Sequence, residues 1–245
     1  MSFIVVIPAR YGSTRFPGKP LALINNKPMI QHVYERAVEA GASDIIVATD
    51  DKRIGEVVSG FGGKVCYTND SHESGTERIA EVLSTLSISD NTVVVNVQGD
   101  EPFIPPENIQ QVANNLVSSN MHMATLCFPI SQRKDIDNSN VVKVVFSSNG
   151  KAMYFSRAPI PYDRSWVQNT QNMHDNAYYR HVGIYAYRAG FVHQYITLSA
   201  SQYEHIESLE QLRVLYHGYD IHVAVAEQAP PHGVDTPDDL ARLNA

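Results

Sequence analysis

Short apolar runs alternate with helix-patterned stretches through the first half of this chain, and that alternation restricts the fold more than any other feature. Residues 3–7, 44–49, 65–68 and 92–97 read as strands that are apolar almost throughout, the last nearly all valine. Residues 28–40, 53–61, 75–86 and 107–117 read as helices. Met29, Ile30, Val33, Tyr34 and Ala37 form one face of the first, and Gly41 is placed to end it. Strands without a polar face suit a parallel sheet covered on both sides, and strand–helix alternation implies βαβ units.

The rhythm changes after a fifth strand at 123–129. Residues 141–146 and 151–155 read as a hairpin around the polar turn Ser147-Ser148-Asn149-Gly150. The polar stretch 166–176 reads as a mobile or partner-facing loop. A strand is expected at 181–187 and a helix at 204–217, with Ile206, Leu209, Leu212 and Tyr216 as its buried stripe. The last strand falls at 221–225 and the last helix at 236–244, with Thr236 as its cap and Pro237 in its first turn. No internal repeat or linker interrupts the 245 residues. The expected architecture is a single α/β domain: a mixed, mostly parallel central sheet flanked by helices, with a β-hairpin insertion in the second half.

Hydrophobic residues at 43% and charged residues at 18% describe a globular protein, and a net charge of -7 argues against a general nucleic-acid binder. The N-terminus lacks the basic start of a secretory signal, and no apolar run approaches a membrane span. Cys66 and Cys127 lie in strand-like runs and read as buried, reduced thiols, so a cytoplasmic location is expected.

The cations are distributed unevenly. Arg10, Arg15 and Lys19 sit with Gly12 and Gly18 in a loop after the first strand, ahead of the first acidic residue, Glu35. Glycines let the backbone approach an anion and the cations neutralise it. The loop is not a Walker A motif: five residues rather than four separate its glycines, and Pro20 stands where a magnesium-holding Ser or Thr would be. Asp100, in Gln98-Gly99-Asp100-Glu101 after the valine strand, is placed where open α/β sheets bind ligands. There it could hold Mg²⁺ facing phosphates, or serve only as a turn residue. Asp235 could join it or simply lead into the last helix. Ser74 and Thr76 can cap the helix that starts there, and its free N–H groups can read a base or phosphate.

A second polar cluster comprises Ser156, Arg157, Arg164, Arg180, His181, Tyr185, Glu207, Glu210 and Gln211. Glu207 or Glu210 is spaced to pair with Arg213 along a helix. No catalytic Ser/His/Asp set, CxxC pair or HExxH motif occurs, and the Asp135-Ile136-Asp137 triplet falls in a polar loop rather than after a strand.

Residues 7–21, 48–50, 72–78, 96–102, 154–157, 180–185, 207–213 and 233–237 resemble, in order, the motifs of the 3-deoxy-manno-octulosonate (Kdo) cytidylyltransferases, also called CMP-Kdo synthetases. The resemblance implies a Rossmann-like nucleotidyltransferase fold and transfer of CMP from CTP to Kdo, with Mg²⁺, for lipopolysaccharide assembly. It implies CTP contacts from Pro8, Ala9, Arg10, Gly12, Ser13, Arg15, Lys19, Ser74, Gly75 and Arg78. Arg10, Arg15, Lys19, Asp100 and Asp235 become the catalytic set, with Asp100 and Asp235 as metal ligands. Gln98, Arg157, Arg164, His181, Tyr185, Glu210 and Gln211 would surround Kdo. Residues 1–130 would mainly bind CTP, 131–225 the sugar and a second subunit of a homodimer, and 226–245 would supply the C-terminal metal ligand. The 8-amino analogue of Kdo, another acidic sugar, or a non-catalytic nucleotide-binding role on the same fold remain alternatives. Asp100, Asp235 and Lys19 speak against the last.

Overall fold

The computed structural model describes residues 2–12, 16–72, 74–164, 177–231, 233–234 and 236–243. Ser13, Arg15, Asp235 and the polar stretch 166–176 lie outside the described residues. The chain opens with β1 (Ile4–Pro8), a one-turn 3-10 helix (Lys19–Leu21) and a small ribbon of β2 (Leu23–Ile24) and β3 (Lys27–Pro28). There follow α1 (Met29–Glu39), β4 (Asp44–Thr49), α2 (Lys52–Gly60), β5 (Lys64–Tyr67), α3 (Gly75–Thr85), β6 (Val93–Asn96), α4 (Pro106–Ser119) and β7 (Met123–Pro129). The second half holds α5 (Arg133–Asp137), β8 (Lys143–Phe146), β9 (Ala152–Ser156), β10 (Tyr179–Arg188), α6 (Ala189–Tyr195), α7 (Gln202–Glu207), α8 (Gln211–Tyr216), β11 (Ile221–Val225) and α9 (Pro237–Leu243).

The main sheet has the order β11-β7-β10-β6-β1-β4-β5. Strands β6, β1, β4 and β5 pair in parallel, as do β11 and β7. The long strand β10 runs antiparallel between β6 and β7, and the β8–β9 hairpin pairs with it. Alternation along β1 explains the two cores. Val5 and Ile7 point into a cluster with α1, α2 and α4, while Ile4 and Val6 point into one with α3, α6 and α8. Both faces are covered, which is why the strands need no polar side. Truncating a fully buried residue such as Ile7 to alanine would cost about 2–5 kcal/mol.

Helix starts follow local chemistry. The Asp51 side chain accepts from Arg53 N–H to cap α2, and Ser74 and Glu77 form a reciprocal capping box on α3. The last helix, α9, begins in a similar way. Thr236 Oγ1 accepts from Asp239 N–H at 3.2 Å, Asp239 Oδ2 accepts from Thr236 N–H at 2.9 Å, and Pro237 is the first helical residue.

The second half of the structure departs from the sequence expectations in its helices and ion pairs. The helix expected at 204–217 is two helices, because Ser208 takes a left-handed conformation with φ 52° and ends α7. Leu209 and Leu212 are buried, but Ile206 and Tyr216 are exposed, so the expected stripe is only half right. The break leaves Glu207 free to turn back and accept from Ser156 Oγ at 2.6 Å and Arg157 N–H at 2.8 Å. Arg213 consequently pairs with neither Glu207 nor Glu210; its guanidinium forms two bonds to Glu204, at 2.6 and 2.8 Å. Finally, Asp135-Ile136-Asp137 is helical within α5, where Ile136 is buried. Cys66 and Cys127 are buried free thiols, as expected, and burial pushes the Cys127 thiol up to about 12.

Candidate active site

Chain order along the sheet reverses beside β1: β4 and β5 lie to one side, β6 to the other. Such a switch point opens a crevice at the carboxyl ends of the strands. Pro8, Ala9 and Arg10 leave β1 into it, and Gln98, Gly99 and Asp100 follow β6. The two segments touch so closely that a Cβ on Gly99 would lie 3.0 Å from the Pro8 carbonyl oxygen. Gly75, at the start of α3, packs on the Pro8 ring from the third side. Together these enclose a cleft of about 290 Å³, here called the loop cleft.

The basic loop is drawn shut at its base, where Gly18 N–H donates to the Tyr11 carbonyl at 2.9 Å. Gly18 has φ 71°, a left-handed conformation that favours glycine, and it starts the 3-10 turn that carries Lys19. Lys19 is buried, and its Nζ donates to Asp100 Oδ2 at 2.9 Å. Arg10 is exposed at the cleft wall. Arg78 also reaches the wall, but its guanidinium is held by Thr68 Oγ1 and by Asp50 Oδ2 at 3.2 Å. Gly12 is exposed and does not line the cleft.

A second space of about 260 Å³, the tyrosine cleft, opens beside the first. Tyr185 and Tyr187 from β10 and Tyr195 from α6 line it, and burial raises all three phenols. His181, Gln211 and Asn96 contribute polar groups. The Gln211 Nε2 and Tyr187 hydroxyl are enclosed without a well-formed hydrogen bond, although Asn96 and Thr76 lie beside that hydroxyl. Burial pulls the His181 imidazole down to about 3, so the ring is neutral. The clefts share Gly75, Gln98 and Glu210 in their walls. Glu210 accepts from Thr76 Oγ1 at 3.2 Å. Desolvation raises its carboxyl despite that bond, an effect softened by the solvent that reaches it through the cleft mouth.

A cytidylyltransferase family model matches residues 4–221. A 3-deoxy-manno-octulosonate cytidylyltransferase of Pseudoalteromonas atlantica is 59% identical over 248 residues, covering 100% of this chain and 98% of the relative. Its counterpart in Alteromonas mediterranea is 60% identical over 245 residues, covering 99% and 98%. The chain belongs to the 3-deoxy-manno-octulosonate cytidylyltransferase family. A solved CMP:2-keto-3-deoxy-manno-octonic acid synthetase, complexed with CTP, superposes with a TM-score of 0.89 at 44% identity, covering 99% of this chain and 96% of the other.

As a member of this nucleotidyltransferase family, the chain brings most of its expected site residues together. Pro8, Ala9, Arg10, Lys19, Ser74, Gly75, Arg78 and Asp100 line the loop cleft. His181, Tyr185, Gln98, Glu210 and Gln211 line the tyrosine cleft. Arg157 and Arg164 do not. Arg157 spends its guanidinium on the backbone carbonyls of Glu207, Ser139 and Ser208, and Arg164 is exposed. Asn96, Thr76, Tyr187 and Tyr195 were missing from the expected cytidylyltransferase site. Strand alternation from Tyr185 pointed to Tyr187; Tyr195, on another element, carried no such signal.

Asp100 suits a hard cation. Lys19 occupies Oδ2, while Oδ1 has no partner among the described residues, and carboxylate oxygen is the donor Mg²⁺ prefers. Among the described residues, no group of three or more His, Cys, Asp or Glu side chains is gathered for a metal. Val234 N–H donates to the Asp100 carbonyl at 3.0 Å, which ties the segment preceding Asp235 in sequence to Asp100.

Proposed function

We propose that this chain transfers CMP from CTP to 3-deoxy-D-manno-octulosonate, releasing pyrophosphate and activating Kdo for lipopolysaccharide biosynthesis. One observation carries the reading: the loop cleft and the tyrosine cleft share Gly75, Gln98 and Glu210, so two substrates can meet without crossing solvent. CTP occupies the loop cleft, with its phosphates on Arg10, Arg15 and Lys19 and its cytidine against Pro8, Ala9 and the Ser74-Gly75 turn. Kdo occupies the tyrosine cleft, contacted by Gln98, His181, Tyr185, Glu210 and Gln211. The anomeric hydroxyl attacks the α-phosphorus as pyrophosphate leaves in line. The protein contributes positioning and charge neutralisation rather than a covalent intermediate.

Asp100 and Asp235 would hold Mg²⁺, which when bound supplies Lewis acidity to the phosphate and the attacking hydroxyl. Lys19 orients Asp100 and adds positive charge beside the phosphates. Residues 1–130 mainly serve CTP, 131–225 the sugar and a partner subunit, and 226–245 the metal. The buried free thiols suit a reducing cytoplasm. The β8–β9 hairpin, with Met153 exposed, supports a homodimer, and a monomer by size-exclusion chromatography would remove that part of the reading.

The decisive experiment is pyrophosphate release from CTP and Kdo with Mg²⁺, with and without EDTA, alongside the 8-amino analogue. Release with Kdo that EDTA abolishes is expected. No release with metal present would overturn the assignment.

A further inference from the structure

Strand β10 is irregular where it enters the tyrosine cleft. Its register against β7 shifts between Val182 and Tyr185, so that Tyr185 rather than Gly183 stands opposite Thr125. Bulges of this kind re-aim side chains beside active sites. Thr125 fills the irregularity. Its Oγ1 lies 2.7 Å from the Ile184 carbonyl, 3.1 Å from the Val182 carbonyl and 3.1 Å from His181 Nε2.

A threonine hydroxyl has one proton. Two of its three neighbours are carbonyl oxygens, which only accept. Pointing the proton at His181 would leave oxygen lone pairs facing each other at 2.7 Å, so the proton goes to a carbonyl. His181 Nε2 must then be the donor to Thr125. We infer that Thr125 fixes His181 as the Nε2–H tautomer, presenting Nδ1 to the tyrosine cleft as an acceptor for a sugar hydroxyl.

Two further observations support this. Nδ1 has no hydrogen bond to the described residues and is not among the enclosed unpaired atoms, so it is open to the cleft that His181 lines. Phe155 stands edge-on to the ring at 5.2 Å, and no carboxylate among the described residues pairs with it, so the ring stays neutral. An imidazole lone pair attracts hydroxyls and repels carboxylates. His181 therefore reads a hydroxyl of the sugar, and the sugar's acid group binds elsewhere. Thr125 is a positioning residue. This inference rests on the proposed Kdo-binding role of the tyrosine cleft.

The test is ¹⁵N-imidazole NMR of the intact wild-type protein at neutral pH, after confirming turnover of CTP and Kdo. A protonated Nε2 and unprotonated Nδ1 are expected, with Nδ1 moving on addition of Kdo but not of CTP alone. An Nδ1–H ring, an imidazolium, or an Nδ1 unaffected by Kdo would overturn the inference. Absence of wild-type turnover would instead overturn the proposed function. Thr125→Val should raise the KM for Kdo about tenfold, the loss of one neutral hydrogen bond, and leave the KM for CTP unchanged. Thr125→Ser should restore it; equal KM changes for both substrates would mean that Thr125 is only structural. If Thr125→Val does not fold, the wild-type spectrum decides.

Discussion

Thr76 donates to Glu210 at 3.2 Å across 134 residues of chain, joining the first turn of α3 to the start of α8. Glu210 lines both clefts and Thr76 lines the tyrosine cleft, so the bond lies in the wall that the two share. It also holds a carboxyl whose pKa is raised by partial desolvation in the cleft wall, beside both proposed substrates.

Glu210→Gln should separate stability from activity. The folded pKa of Glu210 lies above its unfolded value of 4.5, so ionising it costs stability as pH rises through that window. The variant should have an equal or higher melting temperature at neutral pH. Its kcat/KM for Kdo should fall about tenfold or more, as for loss of a charged hydrogen bond. A lower melting temperature with unchanged kinetics would contradict both parts.

Asp100→Asn should reduce turnover far more than CTP affinity. Asn keeps an oxygen near Lys19 but loses the charge that a cation requires. Turnover is expected to drop by about 100-fold or more, with CTP binding by calorimetry changed by less than about tenfold. Near wild-type turnover at ordinary Mg²⁺ would remove Asp100 from the metal site.

Acid stability should carry a His181 component. Burial holds this ring down to about 3, whereas the unfolded chain protonates it near 6.5. The unfolded state therefore binds more protons between those values, and stability falls as pH drops through the window. Urea midpoints of His181→Asn should fall less steeply than wild type between pH 6.5 and about pH 4. Parallel profiles would show that the ring is not held neutral.

Glu204→Gln should act on folding rather than chemistry. The Glu204–Arg213 pair is largely buried, and Arg213 lies 4.7 Å above the Tyr195 ring that walls the tyrosine cleft. Removing one partner of a buried pair leaves an uncompensated charge, costing about 3 kcal/mol. Denaturant unfolding should report that loss, while saturating turnover at low temperature stays close to wild type.

The parallel half of the fold was legible because its strands are largely apolar and two of its helices, α2 and α3, carry local side-chain caps. β4, β7 and β11 match their expected bounds, and the Ser74 cap falls where α3 begins. The basic loop and Asp100 were legible for a related reason: residues after β-strands in an α/β sheet collect at one edge. The break at Ser208 was not, because the helical pattern continues through it. What ends α7 is the backbone conformation at Ser208, and the freed Glu207 carboxylate meets Ser156 and Arg157, 51 and 50 residues away.

The sequence alone determined the alternation of the main strands and helices through β7, the family and most of the side chains in the two clefts. These depend on local periodicity and on motifs read in order along the chain. Tertiary structure decided which charges are already spent. Arg157 is committed to three backbone carbonyls and Arg213 to Glu204. It also decided that Thr125 and His181 share a proton arrangement, because a β-bulge sets those two side chains together. Hydrogen-bond partners are chosen by distances between segments remote in sequence, and no local pattern encodes those distances.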